Sequence, residues 1–280
     1  MKRILFAFAA VAAFASCNKE VDDIKIPESR EIVISLKDSS LDIDVQTKTT
    51  AISSLPSSLY FAGTTGSGSS QTSKWASESK SVSSNKINTG YYQTATATSY
   101  NYYLSNCAMT FSASGCTISA DGSSIDAIAG ITKENSTTNP SVVLDHIFAR
   151  TGTIGITSTN GYNLSNVTYT LTSKDTNTGT KGTYNIYTGA WSSTTKITDQ
   201  TITNNGDLYL IPGVYTLTVS GTEKLGDYQD SFTGSKDITL VGGKINNISV
   251  TRTGDGADEK AISVTVTLNA WGSNSINVGI

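Results

Sequence analysis

The chain has 280 residues, and its 20 basic and 23 acidic side chains give a formal net charge of -3. This balance predicts no basic face, so nucleic acid is excluded as an expected partner. Only 15% of the residues are charged, and long stretches consist of Ser, Thr, Asn and Gly. Because Thr and Tyr favour strands while Gly and Asn favour turns, the composition predicts an all-β, extracellular protein.

The first sixteen residues have the pattern of an export signal. A basic start precedes an uncharged apolar run at residues 4–14, which is shorter than the roughly 20 residues of a membrane-spanning helix. Two small residues then lead directly to Cys17, an exit that resembles the lipobox of bacterial lipoproteins. The resemblance implies that Cys17 is lipidated and anchors the mature chain; the alternative is a cysteine that follows an ordinary signal by chance. We predict a lipoprotein signal peptide at 1–16 and an acidic tether at 17–30.

The first half of the mature chain contains several predicted strands. Residues 31–36, "EIVISL", read as the opening strand, which we expect to pair at a domain edge. The tyrosines between 91 and 103 predict an aromatic strand face, with a sugar-stacking platform as the alternative. After Pro140, an extended segment would place four side chains on one side: Val142, Leu144, His146 and Phe148.

The second half consists of short segments in which apolar residues alternate with Thr, Ser or Asn. Turn residues such as Pro212-Gly213 and Gly242-Gly243 separate them. Several short strands at this spacing predict a β-sandwich. We therefore predict an amino-terminal β-sandwich domain at 31–165 and a carboxyl-terminal β-sandwich domain at 166–280.

Two further cysteines, Cys107 and Cys116, lie close together in the sequence. An even number of cysteines in an exported protein is compatible with a disulfide, and a turn between two strands could bring this pair together. Two buried free thiols are the alternative.

The sequence predicts no enzyme and no cofactor. His146 is the one histidine, and no G-x-S-x-G nucleophile elbow accompanies it. One histidine and two cysteines are too few ligands for zinc, so no metal site is predicted. The sequence contains neither a P-loop nor a dinucleotide-binding fingerprint.

Several segments, in order along most of the mature chain, resemble the fimbrillin family of Bacteroidetes, the subunits of type V pili. They are the lipobox at Cys17, "VVLDHIFARTGTIGI", "LYLIPG", "LVGGKINNISV" and "ISVTVTLNAWGS". The resemblance implies two transthyretin-like β-sandwich domains in tandem, a precursor at the outer membrane and cell surface, and assembly with other pilin subunits into adhesive homo- or heteropolymers. It implies no catalytic residues.

The same resemblance implies that proteolysis removes the first strand and that a strand from another subunit fills the groove. The corresponding basic residue is Lys48, where Arg is usual in the family. A candidate donor strand follows Gly272, because Ile276, Val278 and Ile280 alternate with Asn and Gly. The alternative is that this strand pairs within its own domain.

A second function remains open from the sequence. A surface glycan-binding lipoprotein of a polysaccharide-utilisation system would have the same compartment and a β-rich composition. It would use exposed aromatic platforms, for which Trp75, Trp191 and the tyrosines at 91–103 are candidates. The predicted partners are other pilin subunits, the outer membrane through the lipid anchor, and a host or bacterial surface glycan or protein receptor.

Overall fold

The computed structural model describes residues 29–37, 55–94, 98–204, 208–253 and 262–270, and its regular structure there is β-strand, which confirms the predicted all-β class. The described ranges contain no helix with the length and apolar character to cross a membrane. The strands before residue 148 are, in chain order, β1 (Ser29–Lys37), β2 (Ser58–Thr65), β3 (Thr72–Ser81), β4 (Lys86–Thr94), β5 (Tyr100–Ser105), β6 (Met109–Ser112), β7 (Gly115–Asp121), β8 (Ile128–Asn135), β9 (Ser141–Val143) and β10 (Asp145–His146). The later strands are β11 (Ala149–Ser158), β12 (Asn163–Ser173), β13 (Lys181–Asn185), β14 (Ala190–Thr195), β15 (Gln200–Ile202), β16 (Tyr209–Leu210), β17 (Gly213–Leu225), β18 (Tyr228–Leu240), β19 (Lys244–Arg252) and β20 (Ile262–Ala270).

In the described part of the chain these strands form five sheets, which we number by position. Sheet 1 has the order β4-β1-β9, sheet 2 the order β10-β8-β5-β2-β3, and sheet 3 the order β14-β13-β7-β6. Sheet 4 has the order β16-β11-β19-β20, and sheet 5 the order β15-β12-β17-β18. Most pairs are antiparallel, but β1 with β9 and β11 with β19 are parallel.

Sheet 2 is the middle layer of three in the first half of the molecule. Successive residues of a strand point to opposite faces, and both faces of this sheet are buried. Phe61 and Tyr102 belong to the core shared with sheet 1, whereas Ala62 and Tyr103 belong to the core shared with sheet 3. The first half is therefore thicker than a two-sheet sandwich.

Sheets 4 and 5 enclose a separate core in the second half. Alternating residues of the long strand β17, such as Tyr215, Leu217 and Val219, are fully buried in it. Ile248 and Val250 of β19 contribute from the opposite sheet. Threonines and serines at the intervening positions of β17 face outward, so the period-two pattern of the sequence is the cause of this sandwich.

The β13–β14 hairpin connects the two halves. β13 pairs antiparallel with β7, with Tyr184 opposite Ile118, so residues after 180 complete a sheet of the first half. The predicted division between 165 and 166 falls inside β12, at the irregularity between Ser165 and Thr168. The domain limits stay a prediction.

The sequence analysis predicted that β1 lies at an edge, but the structure places it elsewhere. It is the middle strand of sheet 1, antiparallel to β4 on one side and parallel to β9 on the other. The difference arises from β9, which has three residues (Ser141–Val143) and is too short for its alternation to predict a strand.

Candidate functional site

Five of the predicted site residues lie outside the described residues. They are the lipidation site Cys17, the processing site Lys48, and the donor-strand residues Ile276, Val278 and Ile280. These assignments stay predictions.

Cys107 and Cys116 are free thiols in this structure, the first half-buried and the second buried. The β6–β7 hairpin places Phe111 opposite Cys116 and Met109 opposite Ile118. Cys107 lies before this hairpin, at a bend that precedes β6. The structure therefore has the second alternative, two free thiols. Burial raises the pKa of the Cys116 thiol to about 12.

His146 is buried and contacts a carboxylate. Its Nδ1 lies 2.9 Å from Oδ1 of Asp126, in the segment before β8. This contact joins β10 to that segment and is consistent with a structural role. Among the described residues, no group of three or more His, Cys, Asp or Glu side chains could hold a metal ion.

The aromatic residues that could form a sugar platform are mostly buried. Trp75, Tyr100, Tyr102 and Tyr103 have at most 9% of their surface exposed. Trp191 is half-buried, and its ring packs against Phe148 and Tyr184. In the described residues of this cluster Tyr92 is the most exposed, at 61%. A lone exposed ring is not a platform, so no observation here favours glycan binding.

The position of β1 is the feature of the fold that most resembles a binding site. Ile32, Ile34 and Leu36 point into the first core and are 0, 0 and 7% exposed. Its other side chains, from Glu31 to Lys37, are half-buried or exposed. The strand therefore fills a groove with three apolar pockets.

Aromatic rings form much of the wall of this groove. Trp75 is central: its ring centroid lies 5.0 Å from Tyr100, 5.6 Å from Tyr91 and 6.1 Å from Phe61. These rings belong to the same core cluster as the three inward side chains of β1. Tilted and offset rings at such distances stabilise one another beyond their apolar area.

The backbone of β1 is hydrogen-bonded on both sides. The amides of Val33 and Ser35 donate to the carbonyls of Thr138 and Pro140, each at 2.9 Å, on the β9 side. On the β4 side the amide of Leu36 donates to the carbonyl of Asn85 at 2.9 Å. If β1 were absent, backbone carbonyls on both neighbouring segments would therefore lose these hydrogen-bond partners.

The pairing of β1 with β4 contains an irregularity. Glu31 lies opposite Tyr92 and Val33 opposite Asn88, so three residues of β4 face Ile32 alone. Reasoning from the sequence did not identify this bulge or strand β9. The available signal for the bulge was a glycine, Gly90, inside an otherwise strand-like segment.

No protein-family model and no curated protein matches this sequence. Several solved structures are similar to it over most of its length. A putative cell adhesion protein from Parabacteroides distasonis has a TM-score of 0.51 and 9% identity, covering 88% of this chain and 98% of that chain. A fimbrial protein from Bacteroides vulgatus has a TM-score of 0.49 and 10% identity, covering 87% and 100%. A putative cell adhesion protein from Bacteroides eggerthii has a TM-score of 0.49 and 14% identity, covering 86% and 96%. The similarity to the Parabacteroides distasonis protein confirms, at the level of the fold, the resemblance stated from the sequence.

Proposed function

We propose that this protein is a structural subunit of a type V-like fimbria that is exported as an outer-membrane lipoprotein, assembled by donor-strand exchange and used for adhesion at the cell surface. Support for the surface role comes from the sequence resemblance and from the fold shared with the putative cell adhesion protein of Parabacteroides distasonis. Support for the assembly mechanism comes from the position of β1 between two strands.

The observation that carries the proposal is that β1 is a single strand connected to neither of its partners by a hairpin. β4 begins at Lys86 and β9 at Ser141, whereas β1 ends at Lys37. Lys48 lies between β1 and β2 in the sequence, so cutting the chain after it would separate β1 from β2. Removing β1 would then open one groove with three apolar pockets and two strand edges. Such a groove suits β-augmentation, in which a foreign strand supplies the backbone bonds and side chains.

Residues 275–280 have the apolar spacing that this groove accepts. In β1 the inward residues follow the pattern Ile-x-Ile-x-Leu, and the candidate donor "SINVGI" has Ile-x-Val-x-Ile. Aligning them places Ile276, Val278 and Ile280 at the positions of the three buried side chains of β1. Burying each aliphatic side chain contributes roughly 1.5–3 kcal/mol before the costs of ordering and association. The sum favours the contact when the backbone bonds form as well.

The anchor and the processing step complete the proposed pathway. A lipid on Cys17 would hold the precursor at the outer membrane while β1 occupies its own groove. Cleavage after Lys48 would release the folded remainder from the anchor and free the groove for the segment 275–280 of another subunit. An occupied groove before cleavage prevents early aggregation through open strand edges.

The decisive experiment compares one substitution at an inward and at an outward position of the candidate donor. Val278→Asp places a charge where an apolar pocket is expected, and Asn277→Asp places the same group on the outer face. We expect the first variant to fold and reach the cell surface but fail to polymerise, and the second to polymerise normally. Ladders on unheated gels and electron microscopy of surface filaments measure polymerisation.

Two outcomes would count against this assignment. Filaments from the Val278→Asp variant would mean that the donor lies elsewhere. A lower melting temperature of the monomeric Val278→Asp variant, without any change for Asn277→Asp, would mean that the segment belongs to its own domain.

A further inference from the structure

We infer that the bulge Thr89–Gly90–Tyr91 of β4 selects the register of the strand in the groove, and that it recognises a hydrogen-bond acceptor side chain at the position of Glu31. The inference concerns β1 directly. It rests on the proposed function only where the occupant is the segment 275–280 of a second copy of this chain.

The bulge is held in a defined shape around β1. Gly90 has a φ of +71°, a conformation that L side chains rarely adopt. The Thr89 hydroxyl donates to the carbonyl of Ile32 at 2.9 Å and accepts from the amide of Tyr91 at 3.1 Å. The amide of Gly90 donates to Oε1 of Glu31 at 3.1 Å. The contact of the Thr89 hydroxyl needs only a backbone carbonyl of the strand in the groove. The contact of the Gly90 amide needs an acceptor on a side chain of that strand.

The opposite end of the bulge is fixed to the core and to β3. The Tyr91 ring packs against both Phe61 and Trp75, and its hydroxyl donates to Oε2 of Glu78 at 2.8 Å. Lys80 lies 4.7 Å from the Tyr91 ring centroid. These contacts prevent the bulge from moving along β4 with a sliding occupant.

The bulge inserts two extra residues into β4. Because this number is even, it does not change which face of β4 each side chain occupies. Ile87, Thr89 and Gln93 therefore all remain on the inner, buried face of β4 on both sides of the bulge. A slip of the occupant by one residue would turn its apolar side chains outward, so alternation alone excludes it. A slip by two residues keeps the same side chains on the inner face, so alternation alone does not exclude it.

The bulge is the element that opposes a two-residue slip. Such a slip in one direction replaces Glu31 by Val33, which offers no acceptor to the amide of Gly90. It also brings Asp38 to the position of Leu36, where the pocket is apolar. The groove therefore fits a strand with an acceptor residue followed by three aliphatic residues at every second position.

The segment 275–280 satisfies this rule in a weaker form. Aligned with β1, Ser275 takes the place of Glu31, and its hydroxyl can accept a hydrogen bond. Its side chain is shorter than that of Glu by two carbon atoms, one methylene and the carboxyl carbon, and carries no charge. A carboxylate at this position would make the stronger, charge-assisted bond, so Ser275→Glu should tighten the contact.

The register of β1 can be measured in the full chain by paired cysteines. Val33 lies opposite Asn88, so Val33→Cys with Asn88→Cys reports the native register, and Ser35→Cys with Asn88→Cys reports a two-residue slip. With Glu31 present we expect only the first pair to form a disulfide under mild oxidation. Glu31→Ala should allow the second pair to form as well.

A matched control removes another exposed side chain of the same strand. Lys37→Ala should leave the slipped pair unjoined, and thermal melting checks that every variant is folded. The inference is overturned if Glu31→Ala leaves the slipped pair as unreactive as the Lys37→Ala control does.

A competition experiment tests the same rule for the proposed donor. The full chain is cut by a protease site inserted between residues 38 and 54, and a labelled peptide of residues Gly272–Ile280 competes with the bound β1. We expect a Ser275→Glu peptide to bind roughly tenfold more tightly than a Ser275→Ala peptide. Equal affinities would overturn the rule for donors. If no peptide displaces β1, the proposed donor assignment fails, and the cysteine experiment still decides the role of the bulge.

Discussion

Arg252 and Glu223 form an ion pair inside the second core. Nε of Arg252 donates to Oε2 of Glu223 at 3.0 Å, and Nη2 donates to Oε1 at 3.4 Å. The two residues are 1 and 2% exposed, and the guanidinium lies 5.9 Å from the ring centroid of Phe232. The pair joins β17 to β19, which belong to the two facing sheets of this sandwich.

Removing the charge of Glu223 should destabilise the protein strongly. Glu223→Gln removes the carboxylate that lies 3.0 Å from Nε of the buried Arg252, and breaking a buried pair in this way costs about 3–5 kcal/mol. Urea denaturation measures the free energy of unfolding. The matched control is Asp121→Asn, which changes the pair with Lys181 whose side chains are 29 and 54% exposed. It should cost under about 1 kcal/mol, and equal effects of both variants would contradict the prediction.

Shortening an inward side chain of β1 should weaken the first half of the molecule. Ile34 is fully buried, so Ile34→Ala should lower the free energy of unfolding by about 2–5 kcal/mol through lost burial and a cavity. Ser35→Ala, at the adjacent outward position, is the control and should change stability by under about 0.5 kcal/mol. Fluorescence of the buried Trp75 follows the transition. An unchanged midpoint for Ile34→Ala would show that β1 does not contribute to the folded core.

The two thiols should be unreactive in the native protein. Burial raises the pKa of Cys116 to about 12 and also raises that of Cys107. Because the thiolate is the reactive form, little of it exists at pH 8, and alkylation should proceed only after unfolding. Mass spectrometry with and without a reductant measures the number of modified cysteines. A native disulfide would appear as a mass increase that depends on reduction.

Processing after Lys48 predicts a specific amino terminus. Protein isolated from filaments should begin at Thr49, and Lys48→Gln should accumulate as an uncut precursor, since proteases of trypsin-like specificity need a basic residue there. Lys48→Arg, which introduces the residue usual in fimbrillins, is the control and should be cut at least as fast. A mature start at Cys17 in polymerised material would argue against removal of β1.

Lipidation predicts a change of location. Cys17→Ala should move the protein from the membrane fraction to the soluble fraction, because the acyl chains supply about 0.8 kcal/mol per buried methylene. Immunoblots of separated fractions measure this, and Ser16→Ala is a control that keeps the small residue before the cysteine. Continued membrane retention of an exported Cys17→Ala variant would exclude the lipid anchor.

Alternation in the sequence was a better guide to side-chain burial than to the pairing of strands. Val142, Leu144, His146 and Phe148 were expected on one side, and all four are at least 93% buried. The continuous strand implied by that pattern does not exist, because the run is divided among β9, β10 and β11 in three different sheets. Periodicity reports the polarity of each side, but it contains no information on where the chain bends.

The groove could be predicted only in part for a similar reason. The inward residues of β1, such as Ile34, follow from alternation in "EIVISL". Its second neighbour, β9, lies more than a hundred residues later, and such non-local pairing leaves no local signal. The bulge at Gly90 was visible as a glycine in a strand-like segment, but the contact with Glu31 depends on register, which two separate segments determine together.

The β13–β14 hairpin also determines the order in which the chain can fold during synthesis and export. Sheet 3 cannot be completed until residue 195 has emerged, because β7 acquires its partner β13 from sequence some sixty residues later. Until then the apolar side chains of Cys116, Ile118 and Ala120 lack part of their covering. A chain that ends at residue 165 would retain this exposed surface permanently and would aggregate.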